Sequence, residues 1–138
     1  MTRTILSMLA VLAVSAFAQS DFAVVVNKSN PATHVTKAQL RRMVSGDMTS
    51  WPEGEKVSVL LAGPGEPARA AMLKEICGMS ESDFGLFVTR KTFAGSNAMP
   101  KIQPSTTAVR QKVPLSPGAV GIIPAADVDD TVKVIPVD

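Results

Sequence analysis

The 138-residue sequence contains one cysteine, one histidine and one tryptophan, and the first two scarcities each remove a class of function. A single thiol, Cys77, excludes an intramolecular disulfide and with it a disulfide-stapled scaffold. With His34 the sole histidine, and no Cys/His/Asp cluster at ligand spacing, the sequence offers no metal site and implies no cofactor. An excess of one charge is missing too, with 14 basic residues against 12 acidic ones. Nucleic acid calls for a basic stripe, whereas Arg41-Arg42 and Arg90-Lys91 are only pairs, of the kind solvated helix ends carry. No nucleophile–base pair is visible. His34 lies in a Pro/Thr loop far in sequence from Cys77 and from any elbow-type serine, and Glu53, Glu55, Glu66 and Glu75 form no acid/base pattern. The expectation is a protein that is not an enzyme. Internal repeats and low-complexity segments are also lacking.

What is present begins with a leader. Arg3 supplies a positive start, residues 5–14 are an apolar core, and Ala16-Phe17-Ala18 is a small-x-small cleavage site. An uncleaved membrane anchor is the rival reading, but it needs about 20 apolar residues, and polar Gln19-Ser20-Asp21 arrives too early. Residues 1–18 are therefore expected to be a signal peptide and residues 19–138 a single lobe, exported to the periplasm or secreted, with no membrane span after cleavage. Removing 18 residues from 138 leaves about 120, enough for one core but not for two lobes with a cleft between them. Because Arg3 leaves with the leader, 13 basic residues face 12 acidic ones and the mature chain is nearly neutral.

The rest of the chain is organised around residues 56–77. Val57-Ser58-Val59-Leu60-Leu61 reads as a strand covered on both faces. It runs into Ala62-Gly63-Pro64-Gly65, whose glycines allow backbone conformations closed to other residues. A helix follows, with Pro67 at or near its first position, where a missing N–H costs nothing. Strand, glycine turn and helix start together make a small-anion cradle, because unpaired N–H groups and the helix dipole point at one spot. Cys77 lies on the apolar side of this helix and reads as a buried structural thiol, with a reactive one as the alternative.

Before it, Phe22-Ala23-Val24-Val25-Val26 is a second strand covered on both faces. Thr36 and Gln39 fit a capping box for a helix carrying Leu40, Met43 and Val44, ended by Gly46 at C′. These two strands and the helix make one βαβ unit if the strands pair in parallel. Trp51 before Pro52 plugs the edge of a core or stacks on a ligand. Downstream, Ser80 to Asp83 starts a helix with Phe84, Phe87 and Val88 on one face, and residues 92–104 read as a long irregular connection. Ser105 caps a short helix with Val109 and Val113 inward, and Ala119-Val120-Gly121-Ile122-Ile123 is a buried strand. In the tail, Val132 and Val134 share one face of an edge strand that Pro136 ends. The fold class is α/β, a mixed sheet with helices on both faces.

In this order the pieces resemble one family. A Thr-x-x-Gln-Leu helix runs to a glycine and then Trp51; after the glycine turn come Phe93-Ala94-Gly95 and Pro117-Gly118-Ala119-Val120-Gly121-Ile122. The pattern is similar to the substrate-binding proteins of phosphate ABC transporters, in the periplasmic-binding type 2 class, and more narrowly to their short, exported, single-lobe relatives. The resemblance implies a single three-layer, periplasmic-binding-protein-like lobe. In the full-length family a basic residue and a Ser-Gly-Thr turn hold phosphate between two lobes. Here the strand ends Leu60-Leu61-Ala62, without arginine, and Glu66-Pro67-Ala68 stands in the Ser-Gly-Thr place. Gly63, Gly65 and Arg69 remain as the ligand-binding candidates, Arg69 having the alternative of an exposed first-turn charge.

Two functions compete. One is an exported solute-binding-like domain for phosphate or another small oxyanion, with a degenerate anion site. The other is a ligand-free interaction or scaffold protein of the cell envelope, with Arg41, Arg42 and Trp51 as its partner surface, since Trp and Arg are enriched at hot spots.

Overall fold

The computed structural model describes residues 21–138, so the expected leader lies outside the described residues. Five strands form one sheet in the order β3-β2-β4-β1-β5. They are β1 (Ala23–Val26), β2 (Ser58–Ala62), β3 (Lys101–Gln103), β4 (Ala119–Ile123) and β5 (Lys133–Val134). β2 pairs in parallel with β3 and β4, whereas β1 is antiparallel to both β4 and β5. The sheet is mixed, as expected.

Alternation along the central strands sends side chains to two cores. Val24 and Val26, Val59 and Leu61, and Val120 and Ile122 point to one face. That face is covered by α1 (Lys37–Val44), by α2 (Pro67–Met72) with its π-helical continuation Leu73–Cys77, and by the start of α3 (Glu81–Phe93). Ala23 and Val25, Leu60 and Ala62, and Ala119 and Ile123 point to the other, where Val109 and Val113 of α4 (Thr106–Lys112) and its 3-10 extension Val113–Leu115 sit on them. Strands buried on both sides are why their sequences read as unbroken apolar runs. Gly121 makes the second packing possible: a Cβ there would lie 2.7 Å from Val109 Cγ1 and 2.9 Å from Val113 Cγ2.

The helix ends follow their sequence signals. Thr36 and Gln39 form a full capping box, as do Ser80 and Asp83, and Ser105 Oγ accepts from the Ala108 N–H. Gly46 (φ 79°) at C′ of α1 and Gly78 (φ 63°) after Cys77 take the left-handed conformation that ends helices.

Three expectations need correcting. β1, α1 and β2 are not a βαβ unit, because β4 lies between the two strands and runs antiparallel to β1. The parallel crossovers are instead β2 to β3 through α2 and α3, and β3 to β4 through α4. They run in opposite directions along the sheet, and the handedness rule then puts their helices on opposite faces. Residues 92–104 are not all irregular: α3 reaches Phe93, and Lys101–Gln103 is the edge strand β3. In the tail, β5 is an edge strand, but Val132 and Ile135 are buried while Val134 is 47% exposed. The chain beyond β5 leaves the ladder to pin α1, with the Lys37 N–H donating to Asp138 O at 3.0 Å. Among the described residues no helix is long and apolar enough to cross a membrane.

Candidate functional site

At the carboxyl ends of β2 and β3 the chain leaves in opposite directions, to α2 on one face and to α4 on the other. Such a divergence opens a crevice beyond the strand ends, the position where open α/β sheets bind ligands. Its two rims are Gly63-Pro64-Gly65 and Gln103-Pro104-Ser105, brought level by the register Ala62 to Gln103.

On the first rim, Gly65 (φ 97°) needs its glycine for conformation. No atom lies within 4 Å of where a Cβ would sit on Gly63 or Gly65, so this turn is open. Glu66 is the N-cap residue of α2 but its side chain caps nothing. Pro67 has no N–H to give, and the first bond of the helix runs from the Ala70 N–H to Glu66 O at 3.0 Å. The amides of Ala68 and Arg69 therefore lack an intrahelical acceptor, as helix starts require. Two donors and a dipole remain of the cradle, with a carboxylate beside them.

Arg69, the candidate left open by the sequence, is 5% exposed and committed elsewhere. Its Nε donates to both oxygens of Glu81 at 3.1 and 3.2 Å, Nη2 to Glu81 Oε2 at 3.0 Å, and Nη1 to Ala62 O at 3.0 Å. Its guanidinium also stands 5.4 Å from the centroid of the Phe84 ring. Arg69 thus ties the end of β2 to the start of α3, next to the turn but occupied by an internal carboxylate.

On the second rim the sequence missed Gln103. It is 6% exposed, and its Oε1 has no hydrogen-bond partner, a costly state for a buried amide oxygen. Ser105 was readable only as a cap. Its Oγ accepts from Ala108 at 3.0 Å, and a hydroxyl used as an acceptor keeps its own proton to give. The one available signal, Ser-Thr after a polar-flanked Ile, becomes meaningful only once β3 is known to be a strand.

Of the three residues proposed for a partner surface, Trp51 is buried and only Arg41 and Arg42 reach solvent. Trp51 is 4% exposed, with its indole Nε1 donating to Gly118 O at 2.9 Å, so it plugs the core. Arg41 and Arg42 are exposed, and Arg41 Nε donates to Ile76 O at 3.0 Å near the end of the neighbouring helix. Cys77 is half-buried against the first core, and burial pushes its thiol up from the ordinary value against the pull of Arg41. Less thiolate is then present at a given pH, so alkylation by iodoacetamide at pH 8 is expected to be several-fold slower than for an unfolded-chain cysteine. An equal or faster rate would make Cys77 the reactive thiol. Among the described residues no three His, Cys, Asp or Glu side chains come together as a metal set.

Comparisons with known proteins agree with this architecture. No curated protein matches the chain. Among solved structures, a putative phosphate ABC transporter substrate-binding protein with bound phosphate from Clostridium perfringens superposes with a TM-score of 0.68 at 24% identity, covering 86% of this chain and 45% of that one. An ABC-type phosphate transport receptor from Vibrio cholerae gives 0.58 at 22% identity, covering 85% and 46%. A possible phosphate binding protein from Planctomyces limnophilus gives 0.64 at 18% identity, covering 86% and 41%. The chain therefore shares its fold with less than half the length of each of these proteins. A family model for the PBP superfamily domain matches residues 12–133, nearly the whole sequence, and the chain belongs to that superfamily.

Proposed function

We propose that the chain is an exported solute-binding-like lobe that offers phosphate, or another small oxyanion, a weak site in the crevice between residues 63–65 and 103–105. The observation that supports it most is the pairing of an open glycine turn and two acceptor-less amides on one rim with Ser105 on the other. Weakness follows from the same geometry. Glu66 sits at the helix start, Arg69 is held by Glu81, and a single lobe leaves an anion in water, where each hydrogen bond is worth little. Export is inferred from the leader pattern in residues 1–18 and suits this family.

Isothermal titration with phosphate tests the reading, with millimolar affinity expected. Glu66→Gln removes the competing carboxylate without disturbing a cap, because the Glu66 side chain makes no capping bond. It should tighten phosphate binding by about two- to fivefold, the scale of one charge near a helix start. Absence of heat at millimolar phosphate in both proteins would sink the proposal. It would leave the ligand-free interaction protein as the reading to pursue, with Leu86 (58% exposed) and Phe93 (89% exposed) on α3 as the place to look.

A further inference from the structure

At the opposite end of the sheet, where β2, β3 and β4 begin, lies a cleft of about 560 Å³. Volumes of roughly 300–1,000 Å³ are those that hold small molecules. One wall is the end of α1 and the segment after it, carrying Met43 and Met48; the other is the segment before β3, carrying Met99. Three of the five methionines among the described residues thus line one cleft. Thioether side chains are apolar, flexible and polarizable, and they adapt to irregular apolar ligands.

Two glycines allow close approaches around the cleft. Gly46 (φ 79°) lets the Met99 segment close over the end of α1, since a Cβ there would stand 2.7 Å from Met99 Cε and 3.4 Å from Ala98 O. Gly118 lets the floor form, since its Cβ would collide with Lys56 O. The floor is therefore set by backbone packing, while the Met99 side chain closes on the end of α1.

Its rim is cationic. Lys56 and Lys101 both line the cleft, both are exposed, and neither ammonium is in an ion pair or side-chain hydrogen bond among the described residues. Glu55 is the one carboxylate on the lining, leaving the rim one charge positive.

We propose that this cleft binds a small carboxylate with an apolar chain, the chain lying against the half-buried Met48 and Met99, with Met43 packed behind them, and the carboxylate facing Lys56 and Lys101. The site is separate from the oxyanion crevice, because the two lie at opposite ends of the parallel strands. Failure of one leaves the other untouched.

Methionine methyl NMR on the full chain, titrated with octanoate, provides the test. The Met43, Met48 and Met99 methyl signals should shift saturably while Met72 and Met79, which do not line the cleft, stay still. The double substitution K56Q/K101Q, on exposed side chains that the fold does not use, should weaken octanoate binding about fivefold, as expected for two exposed charge contacts. Binding of uncharged 1-octanol should be unaffected by it. Shifts that do not saturate, that spread equally over all five methyls, or that are the same in K56Q/K101Q would overturn the proposal.

Discussion

Gly118→Ala is expected to leave little folded protein at room temperature. The new Cβ would stand 1.8 Å from Lys56 O and 2.8 Å from Lys56 C, distances no real Cβ tolerates. Both atoms are backbone, so no side chain can swing aside, and relief requires the entry of β2 to move away from β4. That entry is where the Ser58 N–H donates to Gly118 O at 3.2 Å and where Ser58 pairs in register with Ala119. The same carbonyl accepts the Trp51 indole proton at 2.9 Å, so displacing Gly118 also strands a buried tryptophan N–H. Side-chain overpacking usually costs about 1–3 kcal/mol. A backbone clash that opens a central strand pair and unpairs a buried donor should exceed about 4 kcal/mol, most of the stability of a small domain. Urea unfolding, or soluble yield if no transition is seen, gives the measurement. Gly63→Ala is the control, for its Cβ meets nothing within 4 Å and its φ is not positive. It should shift stability by less than about 1 kcal/mol. A Gly118→Ala protein within 1 kcal/mol of the parent would show that the β2–β4 junction is not rigid.

That junction also explains which parts of the fold were legible. Pro117-Gly118-Ala119-Val120-Gly121-Ile122 was recognisable because its glycines answer to close packing on both sides, Gly118 against Lys56 and Gly121 against α4. Capping boxes at Thr36 and Ser80 were legible because donor and acceptor lie three residues apart in the chain. β3 was not, since three residues on a sheet edge, two of them exposed, carry too little hydrophobic pattern to register. Nor could the sequence show that β4 separates β1 from β2. A strand covered on both faces reads the same whichever neighbours it has. In the crevice, Gly65 was readable from local backbone chemistry, whereas the fate of Arg69 depends on Glu81, twelve residues on and in another helix. From sequence alone, Trp51 before Pro52 reads both as a core plug and as a surface group. Its acceptor, Gly118 O, lies 67 residues away, a distance over which spacing says nothing.

The Arg69–Glu81 pair carries the second large effect, and it separates a structural brace from an anion ligand. Glu81→Gln removes the carboxylate that takes three of the four hydrogen bonds from the Arg69 nitrogens. The guanidinium, with a side chain only 6% exposed, would keep Ala62 O, the Phe84 ring and the one amide oxygen the substitution leaves, but no counter-charge. Breaking a fully buried pair costs about 3–5 kcal/mol. The Glu81 side chain is 34% exposed and water can replace part of the interaction, so a loss of about 2–3 kcal/mol is expected. Replacing both partners by methionine should recover much of that loss, because no unpaired charge is then left inside. A double-mutant cycle read by urea unfolding measures the coupling, expected to exceed about 1 kcal/mol. Phosphate titration of the Glu81→Gln protein then reads the functional side. Arg69 reaches the carbonyl that precedes Gly63, so a guanidinium released from Glu81 is placed to meet an anion in the crevice, and phosphate should bind more tightly than to the parent chain. A Glu81→Gln protein as stable as the parent would remove the brace, and one that binds phosphate no better would show that Arg69 faces away from the crevice.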